Sequence, residues 1–364
     1  MCGFTFTVFL SAFQLLPTAP FRIRALGGST FASGLFLGFL TYASAWSAPI
    51  TGAIADRIGR RRTLLIASTV ICLCSIAYAV LTSYRVMLAV VIVHGIFWSG
   101  LMSASAAYLT NMLPPRRRAE GIAYWGLSSV AAIAVAPPIG FWILQRGWPW
   151  ICVSCAGLNV LMGAIAWTLP DPPADPFEAD RRSILEWRVL VLALSLFLYS
   201  FGYGAITSFS AVFAEAIGVA PKSIYLTMLA IVILVTRPLS GPLADRVGYR
   251  PVFAPSLILI AAGLALLALA TSQRSFVASA IVFGVGFGTA YPVFVAYVMS
   301  DVHERRRGAA FGAILAAFDT GIGTGSTMTG LLIQRFGFPT AFGTAAALAA
   351  VALPYFLVVD RRLR

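Results

Sequence analysis

Apolar residues fall in long runs along this chain, and polar residues are largely confined to the short stretches between those runs. A run of about 20 apolar residues is long enough to cross a hydrocarbon core of about 30 Å as an α-helix. The pattern therefore predicts an all-α membrane protein with twelve transmembrane helices. The predicted spans are 2–21, 30–55, 63–81, 86–111, 121–144, 150–169, 189–213, 223–244, 252–271, 276–300, 308–333 and 340–359.

Composition excludes an ordinary soluble domain. Hydrophobic residues make up 59% of the chain and charged residues 11%, against roughly 45–50% and about 25% in soluble proteins. The two histidines and five cysteines do not form a metal-ligand pattern. Cys152 and Cys155 have CxxC spacing but lie within a predicted span, where small apolar packing is the favoured interpretation over metal or redox chemistry.

The formal charge of +13 is explained by topology rather than by nucleic-acid binding. Arginines cluster in alternate loops, as at Arg60–Arg62 and Arg305–Arg307, while the opposite loops carry few basic residues. Because basic loops remain in the cytoplasm, we expect a multi-pass protein of the cell (inner) membrane with both termini cytoplasmic. No signal peptide is predicted, because Met1 leads almost directly into the first span without a positive segment and the sequence shows no small-residue cleavage site.

The two halves of the chain repeat each other. Asp245 follows Asp56 by 189 residues (245 minus 56), and Gly284 follows Gly95 by the same offset. The repeat predicts an N-terminal six-helix bundle at 1–169, a cytoplasmic linker at 170–187 and a C-terminal six-helix bundle at 188–364. Two parallel halves of this kind are typical of transporters in which a site near the bilayer midplane is exposed alternately to each side.

The loops after the second and eighth predicted spans carry matching motifs. GAIADRIGRRR occupies 52–62 and GPLADRVGYRP occupies 241–251. Both resemble the signature loop of the major facilitator superfamily, and the loops at 114–121 and 303–308 also look like those of the family. The residues of the two signature loops assigned to a gate are Gly52, Asp56, Arg57, Gly59, Arg60, Gly241, Asp245, Arg246 and Gly248.

The resemblance implies the twelve-helix fold with two pseudo-symmetric bundles and transport of a small molecule by alternating access, without a cofactor. It also implies that Asp56 bridges to the start of the eleventh span near Gly308 and helps to hold the outward-facing state. By pseudo-symmetry, Asp245 would meet the start of the fifth span near Gly121. A carboxylate placed at a helix N-terminus in this way is stabilised by the helix dipole.

Features of the fourth, fifth and eleventh spans bear on the direction of transport. The run from Asp319 to Gly325, DTGIGTG, resembles one found in small-molecule efflux members of the superfamily. Val91 occupies the position of an arginine found in many drug exporters, and the exporter motif of the fifth span survives only as APPIGF at 136–141. We therefore predict proton-coupled efflux by an antiporter, with an uptake carrier or facilitator as the alternative.

Ionisable residues at membrane depth are functional candidates because they are costly and rare there. Asp319 lies eleven residues after the predicted helix start at Gly308, roughly 16 Å along the axis, and is the candidate proton carrier; the alternative is a brace for the glycine-rich segment. His94 is a candidate for substrate or proton handling or a hydrogen-bonded packing residue. Arg237 is assigned to the cytoplasmic gate, with substrate binding as the alternative.

In this superfamily the first, fourth, seventh and tenth spans line the cavity. The polar and aromatic residues on those spans favour an amphipathic or weakly polar substrate over a phosphate or dicarboxylate, which would require paired cationic groups. The alternative is that these residues pack within the bundle or lie at the membrane interface. They are Gln14, His94, Trp98, Tyr199, Tyr203, Tyr291 and Tyr297.

No nucleotide-binding loop or nucleophile with a base is evident, so an enzyme is not predicted and no metal site is assigned. The expected partners are a small-molecule substrate, protons and the lipid bilayer, without nucleic acid, and we expect a monomer. A membrane scaffold that binds a partner without moving solute is a further alternative. The two signature loops argue against it, because a scaffold needs no paired gates.

Overall fold

A computed structural model describes residues 1–112, 118–170, 187–300, 302 and 307–363. The predicted linker falls outside the described residues except at its two ends, as do residues 114–117 and 303–306 of the loops predicted at 114–121 and 303–308. The described residues form α-helices: α1 (Cys2–Leu15), α2 (Ala19–Ala25), α3 (Thr30–Ile58), α4 (Arg60–Val80), α5 (Tyr84–Met112), α6 (Arg118–Leu144), α7 (Trp148–Thr168), α8 (Trp187–Ala216), α9 (Ile224–Val247), α10 (Tyr249–Ala268), α11 (Gln273–Ser300) and α12 (Arg307–Leu363).

The first predicted span is divided into α1 and α2 by a kink around Pro17. Proline lacks the backbone N–H that would continue the helix. The Thr18 hydroxyl donates hydrogen bonds to the carbonyls of Gln14 at 2.7 Å and Leu15 at 2.9 Å, so it satisfies acceptors at the break. The predicted continuous helix at 2–21 is therefore interrupted, and helical structure extends to Ala25.

The last two predicted spans both lie within α12, which contains a break at Gly337 with φ 82° and ψ 175°. A similar residue, Gly147 with φ 111° and ψ 159°, separates α6 from α7. Each glycine is followed two residues later by proline, Pro339 and Pro149 respectively. Glycine adopts positive φ without steric cost, so the same turn divides the last two helices of each half.

Ten stretches of the described residues are long and apolar enough to cross a membrane. One of them, Gly312–Val359, contains two predicted spans on either side of Gly337. Helix α3 does not belong to the ten, although its 29 residues would span roughly 43 Å. Counting Gly312–Val359 as two and adding α3 recovers the twelve predicted spans.

The chain forms two compact units. Unit 1 consists of Met1–Gly27 and Phe39–Arg182, and unit 2 consists of Gly28–Gly38 and Ser183–Arg364. In unit 1, α1 packs on α6 and α7, while α4 packs on α5 and α7. In unit 2, α8 packs on α12, while α10 packs on α11 and α12. The repeat in sequence is thus matched by the same helix pairing within each unit.

The backbones of α8 and α12 approach each other closely, and this explains why several positions in the segment 319–325 of α12 are glycine. A Cβ atom at Gly325 would collide with the Phe201 carbonyl oxygen, and one at Gly321 would lie 2.6 Å from the Phe197 carbonyl oxygen. On α8, a Cβ at Gly204 would collide with the Ile322 carbonyl oxygen. The glycines therefore allow the two helices to touch along their backbones, and α12 remains helical through this segment.

Candidate substrate and proton site

The two signature loops adopt the same local geometry. Gly59 has φ 94° and ψ 142° between α3 and α4, and Gly248 has φ 93° and ψ 156° between α9 and α10. These glycines provide the turns that only a residue without a Cβ adopts readily. Asp56 and Asp245, three residues before each turn, are exposed at the ends of their helices. Both carboxylates are therefore accessible at one end of the helices that carry them.

The remaining residues of the signature loops have different environments. Arg57 and Arg246 are exposed, as is Gly241, whereas Gly52 is half-buried. Arg60 is buried and donates to the Ala107 carbonyl at 3.4 Å, so it ties the start of α4 to α5. Within unit 1, the Arg60 side chain therefore fastens the signature loop to α5.

His94 is buried inside unit 1, with 4% of its surface exposed. Its Nδ1 lies 3.2 Å from the Tyr78 hydroxyl, which joins α5 to α4. The indole N–H of Trp148 donates to the Tyr78 carbonyl at 2.8 Å and extends the contact to α7. His94 is thus held within a buried polar cluster of its own unit, as in the packing interpretation of this residue.

A small cavity of about 10 Å³ lies beside His94 and is also lined by Ser11, Trp98 and Asn159. This volume corresponds to about one water molecule. Asn159 donates from Nδ2 to the Ser75 hydroxyl at 3.0 Å. The cavity is too small for an organic substrate, so it belongs to the internal packing of unit 1.

Gln14 and Trp98 are also occupied by contacts within unit 1. Gln14 is buried, and its Oε1 accepts a hydrogen bond from the Ser154 hydroxyl at 2.8 Å. Trp98 packs edge-on against Phe9, with ring centroids 5.7 Å apart. Together with His94, these residues join α1, α5 and α7.

Unit 2 contains an aromatic cluster built from α8, α11 and α12. Tyr203 stacks on Phe287 with ring centroids 4.5 Å apart and planes inclined by 13°. Phe318 lies 6.4 Å from Tyr203 and 5.1 Å from Tyr291 between ring centroids. Tyr199 meets Phe287 edge-on at 6.0 Å. We name these five residues, Tyr199, Tyr203, Phe287, Tyr291 and Phe318, the aromatic cluster.

Two ionisable residues adjoin the aromatic cluster. The guanidinium carbon of Arg237 on α9 lies 5.9 Å from the centroid of the Tyr291 ring. Asp319 on α12 directly follows Phe318, a member of the aromatic cluster. Arg237 and Asp319 are both half-buried. A guanidinium therefore lies over one ring of the aromatic cluster, and a carboxyl-bearing residue follows another member directly in the chain.

Tyr297 does not belong to this cluster. Its ring contacts Tyr249 at 6.3 Å and Phe356 at 5.9 Å, nearer the end of α11. Of the candidates proposed from the sequence, the structure brings together Tyr199, Tyr203 and Tyr291 with the ionisable pair. It places Gln14, His94 and Trp98 in a separate set in unit 1.

Sequence reasoning did not identify Phe287 or Phe318. Phe287 lies one helical turn before Tyr291 and Phe318 directly precedes Asp319, so helical spacing from known candidates was the available signal. Tyr78 and Asn159 were also missed, although polar residues within apolar spans are few. Among the described residues, no group of three or more His, Cys, Asp or Glu side chains could hold a metal ion.

Comparisons with known proteins agree on one family. A family model described as Major Facilitator Superfamily matches residues 1–233 and 192–364. An uncharacterized MFS-type transporter of Burkholderia pseudomallei (strain 1106a) is 26% identical over 99% of this chain and 91% of its own length. The uncharacterized MFS-type transporter YhhS of Escherichia coli (strain K12) is 23% identical over 96% and 89%.

Solved transporters share the fold at lower sequence identity. A mutant of the nucleoside transporter NupG superposes with a TM-score of 0.79 at 16% identity, covering 98% of both chains. A bacterial homolog of the human lysosomal transporter Spinster gives a TM-score of 0.80 at 17% identity over 99% and 95%. The human organic anion transporter MFSD10 gives 0.72 at 17% over 98% and 97%.

Proposed function

Because this chain belongs to the major facilitator superfamily, a family of membrane transporters, we propose that it is a secondary active transporter working by alternating access. The cargo that we propose is a small organic molecule, exported in exchange for protons. Matching signature loops in both halves support alternating access, since each half then carries its own gate. The gate residues are those of the two signature loops, with Asp56 and Asp245 as their carboxylates.

The observation that carries the proposal is the position of Asp319 beside the aromatic cluster. Asp319 lies twelve residues into α12 (319 minus 307), roughly 18 Å along the axis and near the middle of a span. A carboxyl group at this depth is costly unless it has a role in transport. Asp319 directly follows Phe318, whose ring lies 5.1 Å from that of Tyr291 between centroids, and this position supports a proton carrier adjoining a substrate-binding surface.

The names of the fold relatives support an organic cargo. NupG is a nucleoside transporter and MFSD10 an organic anion transporter. Tyr291 and Phe318 are the half-buried members of the aromatic cluster, and their rings suit the ring or apolar body of such a molecule. The remaining parts of the proposal are a monomer in the cell (inner) membrane, both termini in the cytoplasm, and no enzymatic role.

Uptake is the second candidate, favoured by one specific observation. Val91 stands where many exporters have an arginine, and it is fully buried in unit 1. The chain therefore carries no basic group at that point. A scaffold that does not transport is disfavoured by the retained gate geometry at Gly59 and Gly248.

The test uses purified protein in proteoliposomes with an imposed pH difference and a panel of metabolites and drugs. We expect substrate-dependent proton movement and accumulation of substrate against its gradient. Asp319→Asn keeps the side-chain shape and removes titration, so it should abolish proton-driven accumulation while leaving substrate counterflow largely intact. The matched control is Glu215→Gln, which removes an exposed carboxylate paired with Lys222.

The direction of the pH change that accompanies substrate movement distinguishes proton-coupled export from proton-coupled uptake. An antiporter acidifies the compartment that loses substrate, whereas a symporter makes that compartment alkaline. If Asp319→Asn still concentrates substrate under a pH difference alone, Asp319 is a structural brace. His94 would then be the next candidate for the proton site. Proton-driven transport is refuted if no compound of the panel is transported and none causes proton movement across the membrane.

A further inference from the structure

Arg237 lies in the middle of a membrane-spanning helix. It is thirteen residues from the start of α9 at Ile224 and ten from its end at Val247, roughly 20 Å and 15 Å along the axis. Among the described residues of unit 2, the other basic side chains lie near helix ends or at the Gly337 turn. An arginine at this depth is expensive unless it has a partner, so its neighbours decide its role.

Arg237 faces away from the most exposed side of α9. Val235 and Leu239 are 61% and 64% exposed and mark that side, whereas Ile233 and Ser240 are buried at 7% and 2%. Arg237 follows Ile233 by four residues, so it lies on the same helix face as the buried residues. The guanidinium is therefore directed into the protein, where it meets Tyr291.

Within the part of the chain that the structure describes, no carboxylate forms a salt bridge with Arg237. Its neighbours are the aromatic face of Tyr291 and the phenol groups of Tyr199 and Tyr203, which lie within electrostatic reach. A cation–π contact compensates only part of the cost of moving a guanidinium out of water. The donors of this side chain are thus available to an anion.

Tyr199 supplies an independent observation at the same place. Its side chain is fully buried, and its hydroxyl oxygen has no hydrogen-bond partner in the described structure. A buried hydroxyl without a hydrogen-bond partner is rare and lowers the stability of the folded protein. A bound acceptor would supply the missing hydrogen bond. The hydroxyl also lies within electrostatic reach of Arg237 and Tyr291. Two donors, one charged and one neutral, are therefore found at the aromatic cluster.

From this arrangement we infer that unit 2 binds the carboxylate of a monoanionic aromatic acid, with Arg237 holding the carboxylate and the aromatic cluster holding the ring. The inference rests on the proposed transport function and names the class of its substrate. Arginine binds a carboxylate through two parallel N–H donors, which gives both affinity and geometry. A single arginine neutralises one negative charge, so a dicarboxylate or phosphate is disfavoured.

The experiment measures binding without any gradient, so its outcome is independent of the transport test. Benzoate, 2-naphthoate and 2-anthroate are titrated into the purified full-length protein in detergent, each beside its own amide. The amide keeps the ring and shape but removes the charge. We expect at least one carboxylate to bind about tenfold or more tightly than its amide, as a charge-assisted contact requires.

Variants then assign the selectivity to particular side chains. In Arg237→Gln the ratio of amide to carboxylate dissociation constants should fall to about 1 while amide binding is unchanged, and Arg237→Lys should keep part of the ratio. Tyr199→Phe should weaken carboxylate binding several-fold without changing amide binding. The control Arg274→Gln removes an exposed arginine at the start of α11 and should keep the ratio.

A purely structural Arg237 would alter both probes equally and would leave the ratio unchanged. The inference is overturned if every carboxylate binds no better than its amide, or if Arg237→Gln retains the selectivity. If Arg237→Gln abolishes all binding, Arg237→Lys is measured in its place. Arg237→Lys must then bind the carboxylate more weakly while amide binding is unchanged. Selective binding without any proton-driven movement would instead refute the proposed transport while supporting the anion site.

Discussion

The hydroxyl oxygen of Tyr78 lies 3.2 Å from Nδ1 of His94, within the buried core of unit 1. This contact joins α4 to α5 and gives the imidazole a partner that a substrate would otherwise supply. The buried imidazole therefore has a hydrogen-bond partner within its own unit.

Tyr78→Phe is predicted to lower stability without changing proton coupling. The substitution leaves His94 Nδ1 without its buried partner, which costs about 1–3 kcal/mol. The apparent melting temperature in detergent should therefore fall. Tyr124→Phe is the control, because Tyr124 is 59% exposed. If Tyr78→Phe instead shifts the pH dependence of transport at unchanged stability, His94 takes part in proton handling.

Gly325→Ala is predicted to destabilise unit 2. A Cβ at this position would collide with the Phe201 carbonyl oxygen of α8, which is backbone and cannot move aside alone. Overpacking of this kind typically costs about 1–3 kcal/mol. A Cβ added by the control Gly343→Ala, which lies beyond the Gly337 break in α12, would meet nothing within 4 Å. The melting temperature of Gly343→Ala should be unchanged or higher. Equal changes in the melting temperatures of the two variants would contradict the close packing of α8 and α12.

Asp56→Asn is predicted to impair transport while leaving expression and substrate binding near normal. The signature loop assigns the charge of this exposed carboxylate to gating rather than to folding. Asp56→Glu keeps the charge and should retain part of the transport rate. The measurement is the initial rate of uptake into proteoliposomes at matched protein content. An unchanged rate in Asp56→Asn would remove the gate role from this residue.

Tyr199→Phe and Tyr225→Phe are predicted to differ in stability although each removes one buried hydroxyl. The Tyr225 hydroxyl lies 3.0 Å from the Ser279 hydroxyl, and losing this hydrogen bond should lower stability by about 1 kcal/mol. The Tyr199 hydroxyl has no partner in the described structure, so its removal should be neutral or stabilising. Thermal unfolding of ligand-free protein compares them, and a larger loss in Tyr199→Phe would reveal a structural role for that hydroxyl.

Part of the candidate site could be inferred from sequence because membrane depth can be counted along a helix. Asp319 was identified by its distance from the predicted helix start, and the structure places its chain neighbour Phe318 against Tyr291, with ring centroids 5.1 Å apart. Counting along a helix does not reveal which neighbour a side chain meets. Phe287 and Phe318 were missed because each is an ordinary apolar residue until α8, α11 and α12 are packed together.

Arg237 also shows that sequence gives the position of a residue along its helix but not the neighbours of its side chain. Its proximity in sequence to Asp245 favoured the cytoplasmic gate, and that assignment stays a prediction. The structure adds its contact with Tyr291 and its place on the inward face of α9. The rotation of a helix about its axis depends on packing with its neighbours, so the partner of this guanidinium could not be read from spacing.

Sequence alone determined the membrane class, the spans and the two-fold repeat, because hydropathy and periodicity act locally and leave a direct record in residue order. It also placed Gly59 and Gly248 in the two signature loops, and the structure adds that both have positive φ. Only the tertiary structure decided that His94 contacts Tyr78 and that Tyr199, Tyr203 and Tyr291 form one cluster with Arg237. Those contacts join residues far apart in the chain, and helix rotation and packing determine which side chains meet.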